Sequence, residues 1–335
     1  MKYMNIKRII YRIEEEMRAT FEIAKQVSLS GAFITLLGKI DIQIMVRNGH
    51  VQKEWMKQHL IKKHTIMNRY FSKIFLDFSN NYSLQEIQVP NEIEEFKDCI
   101  WICWWQGLDK APEIVKNCVE SIKQHIGDHK LIVITEQNIS NYVSFPDWIL
   151  EKYHKGIISK THLSDILRLE LMAKYGGIWL DSTFYCVSSI EYLFKIPVWS
   201  IKRPNYRYTS VACGDFANYS FGCTSENRKV FVVFRDYLLE YWKKYDYMID
   251  YLFLDYLIVL ARNNHKYIDD MFVKIPENNP MCDELLRICG NKYNEVQWKE
   301  LTKKTELFKL TWKADFPKKI GREETFYGKL LQKII

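Results

Sequence analysis

SKTHLSDILRLELMAKYGGIWLDSTFYC, residues 159–186, is the stretch from which the rest of the chain is read. Leu163, Ile166, Leu167, Leu171 and Met172 recur at helical spacing, so the first half is an expected helix. Gly176 and Gly177 supply the left-handed turn that closes such a helix. Ile178, Trp179 and Leu180 then form a short apolar strand, and Asp181 stands where that strand leaves its sheet. Ligands of open α/β sheets bind outside the carboxyl ends of the strands. Asp165 and Arg168 lie three residues apart on the preceding helix, hence on one face. Two carboxylates and a guanidinium are thereby expected to meet at one sheet edge.

Outward from this segment the alternation continues. Cys99–Trp105 (CIWICWW) reads as a buried strand, Pro112 opens a helix that runs to about Ile126 and stops at Gly127, and Leu131–Thr135 (LIVIT) is the next buried strand. Strand, helix and strand in some thirty residues make a βαβ unit. The expected fold is therefore α/β, Rossmann-like, with a mostly parallel sheet flanked by helices. Residues 1–80 read as an added helical region, clearest over Arg12–Val27 and Trp55–Phe78. Pro90 and the acidic run NEIEEFKD mark a boundary, giving a helical region 1–92, a main domain 93–316 and a basic amphipathic tail 317–335. Val198–Ile201 reads as a strand, and Val230–Tyr245 and Tyr247–Ala261 as helices. In the tail, Phe326, Tyr327, Leu330, Leu331, Ile334 and Ile335 fall at helical spacing opposite Lys329 and Lys333. Such a tail could lie in a membrane interface or dock on the protein's own core. No GxGxxG or P-loop sequence is present, which removes support for dinucleotide and ATP folds.

Composition narrows the function classes. A chain of 335 residues can bury a large core. Aromatic content is high, with 10 Trp, 21 Tyr and 18 Phe. Aromatics serve as platforms in sugar and nucleotide sites but more often as core. The net charge is +7, and residues 1–90 carry 14 Lys+Arg against 8 Asp+Glu, so nearly all of the excess is N-terminal. That points to an anionic partner such as a membrane leaflet or a diphosphate lipid, or else to a solvated helical surface. The charge is too modest, without a recognised module, for nucleic acid. The eight cysteines form no CxxC pair and suit reduced thiols in the cytosol. The N-terminus runs into RIEEEMR, unlike a cleavable signal. Lys39 and Asp41 break the most apolar window, so no membrane span is expected.

The motif S-D-x-x-R followed by Y-G-G-[IV]-[WY]-L-D stands here as Ser164, Asp165, Arg168, Tyr175–Leu180 and Asp181, then Ser182 and Thr183. It resembles the bacterial capsular polysaccharide synthesis glycosyltransferases, which are similar to glycosyltransferase family 32 and more distantly to the glucosylating clostridial toxins. The resemblance runs from about Ile100 to about Lys313. It implies a GT-A fold and a retaining transfer of a hexose from a UDP-α-sugar, UDP-galactose or UDP-glucose. The implied acceptor is a lipid-linked oligosaccharide, such as one on undecaprenyl diphosphate, at the cytoplasmic face of the cell membrane.

The resemblance also implies roles. A departing diphosphate is commonly stabilised by a carboxylate-held Mn2+ or Mg2+. Asp181 is the expected ligand, with Thr183 where many relatives have a second acid. Asp165 and Arg168 face the donor, with Trp179 beside them. His162 shares their helix face, as a site residue or a satisfied structural histidine. Trp104 takes the position that stacks on uracil, and Gln106 and Gly107 let backbone approach the nucleotide. IDYLFLDYLI (249–258) places two acids in an apolar run, costly unless paired or functional. Asp255 is expected at the anomeric carbon or the acceptor hydroxyl, with Asp250 as its rival. In KLTWK (309–313), Lys309, Thr311 and Lys313 would close over the diphosphate. The alternatives are a protein-modifying sugar transferase and a nucleotide-sugar-binding protein without catalysis.

Overall fold

A computed structural model describes residues 6–47, 53–203 and 210–332. The chain opens with three helices, α1 (Ile6–Gln26), α2 (Leu29–Arg47) and α3 (Glu54–Ile74), followed by the short α4 (Leu76–Asn81). Then come β1 (Ile100–Cys103), α5 (Glu113–Lys123), β2 (Leu131–Ile134), α6 (Asp147–His154), α7 (Lys160–Tyr175), β3 (Gly177–Leu180) and β4 (Phe184–Cys186). The second half adds β5 (Val198–Ser200), β6 (Ser220–Cys223), α8 (Lys229–Lys244), α9 (Phe253–Asn264) and α10 (Lys266–Val273). The chain continues with α11 (Glu284–Ile288), α12 (Glu295–Thr302), β7 (Leu307–Lys309), the two-residue strands β8 (Lys319–Ile320) and β9 (Glu323–Glu324), and α13 (Phe326–Gln332).

The central sheet has the order β2-β1-β3-β6-β5. β1 is parallel to both β2 and β3, while β6 runs against β3 and β5. Only β6 therefore opposes the common direction, and the expected mostly parallel, helix-flanked sheet is what forms. Because the chain steps from β1 outward to β2 and then back to the other side of β1 for β3, the carboxyl ends of β1 and β3 flank a topological switch point. Crevices for ligands open at such points.

Burial on both faces explains why β1 and β3 read as unbroken apolar runs. Cys99, Trp101 and Trp179 face one core, built with α7, α8 and α9, while Ile100, Ile102, Ile178 and Leu180 face the other, under α5. Ser159 caps α7 by accepting from the His162 backbone N–H at 3.3 Å. Gly176 ends the helix at φ +71°. Gly177, at φ +78°, lies so close to β1 that a Cβ would come within 2.3 Å of the Cys99 carbonyl oxygen.

Two sequence expectations change, and one alternative is decided. The helix expected from Tyr247 begins only at Phe253, because Asp250 Oδ1 accepts from the Leu252 backbone N–H at 2.9 Å and holds a turn there. The helix expected to reach Phe78 breaks at Phe75. The C-terminal tail docks on the protein itself: Phe326 and Leu330 are fully buried, and Asn117 Nδ2 on α5 donates to the Leu330 and Leu331 carbonyls at 3.0 Å each. Burial of two such side chains is worth about 1.5–3 kcal/mol each, so that face is not available to a membrane. Lys333, Ile334 and Ile335 lie outside the described residues.

The N-terminal helices share a core with the sheet's helical cover. Phe75 stacks on Tyr237 at 5.8 Å and Phe71 on Tyr256 at 5.5 Å. None of the eight cysteines, all described, is in a disulfide. Among the described residues no helix is long and apolar enough to cross a membrane.

Candidate active site at the β1–β3 switch point

Asp181 leaves β3 between two cations. Its Oδ1 accepts from Arg168 Nη2 at 3.3 Å and from Trp179 Nε1 at 3.2 Å, and its Oδ2 accepts from Lys309 Nζ at 3.0 Å. Arg168 also meets Asp165 at 3.3 Å, through Nη1. The helix spacing of the S-D-x-x-R motif and the strand end thus bring Asp165, Arg168 and Asp181 together as expected. Burial pushes the Asp181 carboxyl up, but Lys309 and Arg168 hold it below the ordinary aspartate value. Burial raises Asp165 to about 6 against the pull of Arg168.

Lys309 arrives through strand pairing. β7 runs antiparallel to β4 with Lys309 opposite Phe184, and the Leu310 N–H donates to the Thr183 carbonyl at 2.9 Å. This register carries the ammonium to Asp181 Oδ2 and to Thr183 Oγ1, the latter at 2.8 Å. The rest of KLTWK forms the loop beyond. Trp312 meets Trp104 edge-on at 5.7 Å, Lys313 is exposed, and its backbone N–H donates to Thr311 Oγ1 at 3.1 Å.

The strand expected to reach Trp105 ends at Cys103, and Trp104 and Trp105 in the turn beyond it pack against different cores. Trp104 packs with Trp312, its buried Nε1 without a hydrogen-bond partner, whereas Trp105 Nε1 donates to Ser164 Oγ at 2.8 Å. Gln106 is exposed, and Gly107, at φ +81°, has open space where a Cβ would stand. Backbone is accessible there.

Asp255, on α9, accepts from Asn218 Nδ2 at 2.8 Å. Burial, with repulsion from Asp165, raises its carboxyl to about 7. Exposed Tyr251 feels the charges of Asp165, Asp181 and Asp255 together, which places it at the same mouth.

Asp250 lies away from the site, His162 takes the structural one of its two alternatives, and Trp179 sits in the core at the site's edge. Asp250 is buried and paired with buried Lys63 of α3 at 2.8 Å, so its charge is spent in joining α3 to the turn before α9. His162 is buried between Trp242 and Phe253, each 5.6 Å away, and burial lowers its pKa to about 4. It is a neutral core histidine. Trp179 is 1% exposed and meets the site through its indole N–H and through its ring, 5.2 Å from the Arg168 guanidinium.

Two carboxylates interleaved with two cations at a sheet edge suit an anionic ligand. Residues 47–330 match the family model described as capsular polysaccharide synthesis protein. The chain belongs to that family. The match reaches further toward the N-terminus than the motif resemblance does, into the helical region. An O-glycosyltransferase, braB, of Annulohypoxylon truncatum is 25% identical over 101 residues. That match takes in 28% of this chain and 24% of the relative, so the chain spans about a quarter of that curated relative's length. A solved structure of the PaToxG glycosyltransferase aligns over 72% of this chain and 94% of its own, at 14% identity and a TM-score of 0.35.

The Mn2+ or Mg2+ expected between Asp181 and Thr183 in this capsular polysaccharide synthesis protein meets a donor set that does not fit it. Hard divalent cations take about six or more oxygen ligands. Here both Asp181 oxygens and Thr183 Oγ1 already accept from Arg168, Trp179 and Lys309. Among the described residues no three His, Cys, Asp or Glu side chains converge to hold an ion.

Asn218 and Tyr251 were missed in the sequence. Tyr251 lies inside the flagged IDYLFLDYLI run, where the pairing of acids drew the reading. Asn218 follows from no local pattern, since only the approach to β6 brings it to α9.

Proposed function

We propose that this protein is a retaining glycosyltransferase that moves a hexose from a UDP-α-sugar to a lipid-linked oligosaccharide in surface-polysaccharide assembly. The convergence of Asp165, Arg168, Asp181 and Lys309 at the β1–β3 switch point carries this reading. Trp104, beside Trp312, offers a face for the uracil, and the open backbone at Gly107 admits the ribose and phosphates. Arg168 and Lys309 draw the diphosphate in. Asp165 accepts hydrogen bonds from donor hydroxyls, and Asp181 holds the two cations in place.

As the anomeric C–O bond breaks, its electron pair goes to the β-phosphate oxygen. The acceptor oxygen forms the new bond to that carbon, and its proton leaves to the departing phosphate or to a carboxylate. We assign to Asp255 the anomeric carbon or the acceptor hydroxyl, and both roles need it ionised.

A membrane-bound acceptor is supported by the N-terminal helices. Met17 and Phe21 on α1 and Leu29 and Phe33 on α2 are exposed and line an open apolar groove of about 830 Å³. An apolar face in a basic region suits attachment to an anionic leaflet.

The test is UDP release from a panel of UDP-sugars, including UDP-glucose and UDP-galactose, by the full chain and by Asp181→Ala. Release from one donor, lost in the variant, is the expected result. Donor binding with no release, even with a lipid-linked acceptor present, would leave a binding protein without catalysis.

A further inference from the structure

The site holds an ammonium where the chemistry expected a divalent cation. Lys309 Nζ lies 3.0 Å from Asp181 Oδ2 and 2.8 Å from Thr183 Oγ1, bridging the two residues that would have been metal ligands. Its seat is built. Lys309 is fixed by pairing with Phe184 in the β4–β7 register, and its backbone N–H donates to the Cys282 carbonyl at 2.8 Å. The ammonium lies 5.3 Å from the ring centroids of both Phe184 and Tyr219, within cation–π range. The side chain nevertheless keeps 20% of its surface exposed, so a ligand can reach it.

Charge and hydrogen-bond capacity point the same way. An ammonium has three N–H donors. Asp181 and Thr183 take two of them, leaving one for a phosphate oxygen. Asp165 and Asp181 pair with the two cations Arg168 and Lys309, while Asp255 is held by the neutral amide of Asn218. A divalent ion seated at Asp181 would have to displace one of these cations from it. An acid at position 183 would add an anion that one ammonium cannot balance, whereas the neutral hydroxyl of Thr183 only orients it.

We infer that Lys309 stands in for the divalent cation, so that this transferase releases its diphosphate without a metal ion. The inference rests on the nucleotide-sugar reading above. Lys309 keeps its atoms throughout. It donates a hydrogen bond to the β-phosphate oxygen that takes the electron pair, in the manner of a fixed oxyanion donor.

The experiment measures UDP binding by calorimetry, and UDP release from the donor identified above, in excess EDTA and in excess Mn2+. Wild type is expected to bind and release equally, within about twofold, in both buffers. Lys309→Ala is expected to weaken UDP binding about tenfold and to slow release about a hundredfold, with an unchanged melting temperature. The double variant Thr183→Asp, Lys309→Ala opens the seat and supplies a second acid. It is expected to bind Mn2+ in the absence of nucleotide, read by electron paramagnetic resonance, and to depend on it for release. Loss of wild-type binding or release in EDTA, restored by Mn2+, overturns the inference and leaves the transferase reading intact. Absence of UDP binding in both buffers removes that reading, and the inference with it.

Discussion

At the scale of single residues, Asp255 and Asp165 are the crevice carboxyls that burial raises, to about 7 and about 6. Asp255 titrates at about 7 because burial and Asp165 both disfavour its charge. Both roles open to it require the carboxylate, so kcat/KM is expected to rise with pH through about 7. Asp255→Asn should lower kcat by about 10²–10⁴-fold and flatten that limb, as a pH–rate profile will show. Stability should move the other way. A carboxyl whose folded pKa is raised resists ionisation in the fold, so its contribution is fully favourable below the ordinary value of 3.8 and declines as pH climbs toward about 7. Asp255→Asn should therefore lose less stability than wild type between pH 4 and 7 in denaturant titrations. Trp104 is the other single-residue test. If it stacks on the base, Trp104→Ala should cost about 1–3 kcal/mol of UDP affinity with little change in kcat, measured by calorimetry and steady-state kinetics.

At the scale of elements, two contacts decide how the pieces meet. Gly177 lets β3 lie against β1, and Gly177→Ala would drive a Cβ into the Cys99 carbonyl while forcing alanine to φ +78°. A loss of about 1–3 kcal/mol or more is expected, visible as a lower melting temperature. The Lys63–Asp250 pair joins α3 to the turn before α9, and Lys63 Nζ also donates to the Tyr256 hydroxyl at 3.0 Å. Lys63→Met should cost about 3–5 kcal/mol by leaving a buried carboxylate alone, and adding Asp250→Leu should recover much of it. Activity per folded molecule should survive in the double variant, which separates Asp250 from the chemistry. Much of this scale was legible beforehand. The apolar runs of β1, β2 and β3, the proline before α5 and the glycines after α7 all signal local geometry. The start of α9 was not, because Asp250 holds a turn whose other partner, Lys63, lies nearly two hundred residues earlier.

At the scale of the whole molecule, the N-terminal helices both brace the sheet's helical cover and present an apolar face outward. α3 is bound to α9 through Phe71, Lys63 and His64, whose Nδ1 lies 2.8 Å from the Tyr256 hydroxyl. On the outer side, Phe21 is 72% and Phe33 61% exposed. If this face meets an anionic leaflet, Phe21→Glu with Phe33→Glu should abolish co-sedimentation with phosphatidylglycerol vesicles while leaving the melting temperature and UDP release in solution unchanged. Added salt should weaken wild-type binding, since the charge component is screened.

The sequence by itself determined the α/β alternation, the sheet-end position of Asp181 and the pairing of Asp165 with Arg168. Those are local facts, set by helical and strand periodicity and by residues at most sixteen positions apart. Tertiary structure decided which acids pair inside the helical cover and which line the crevice. It sent Asp250 to Lys63 and left Asp255 at the mouth with Asn218, although both acids sit in one short apolar run. It buried His162 among aromatics and folded the C-terminal helix onto α5. Above all it carried Lys309, 128 residues along the chain, into the space between Asp181 and Thr183. A charge's role depends on what it faces, and what it faces is set by strand pairing and packing between distant segments, which no local pattern encodes.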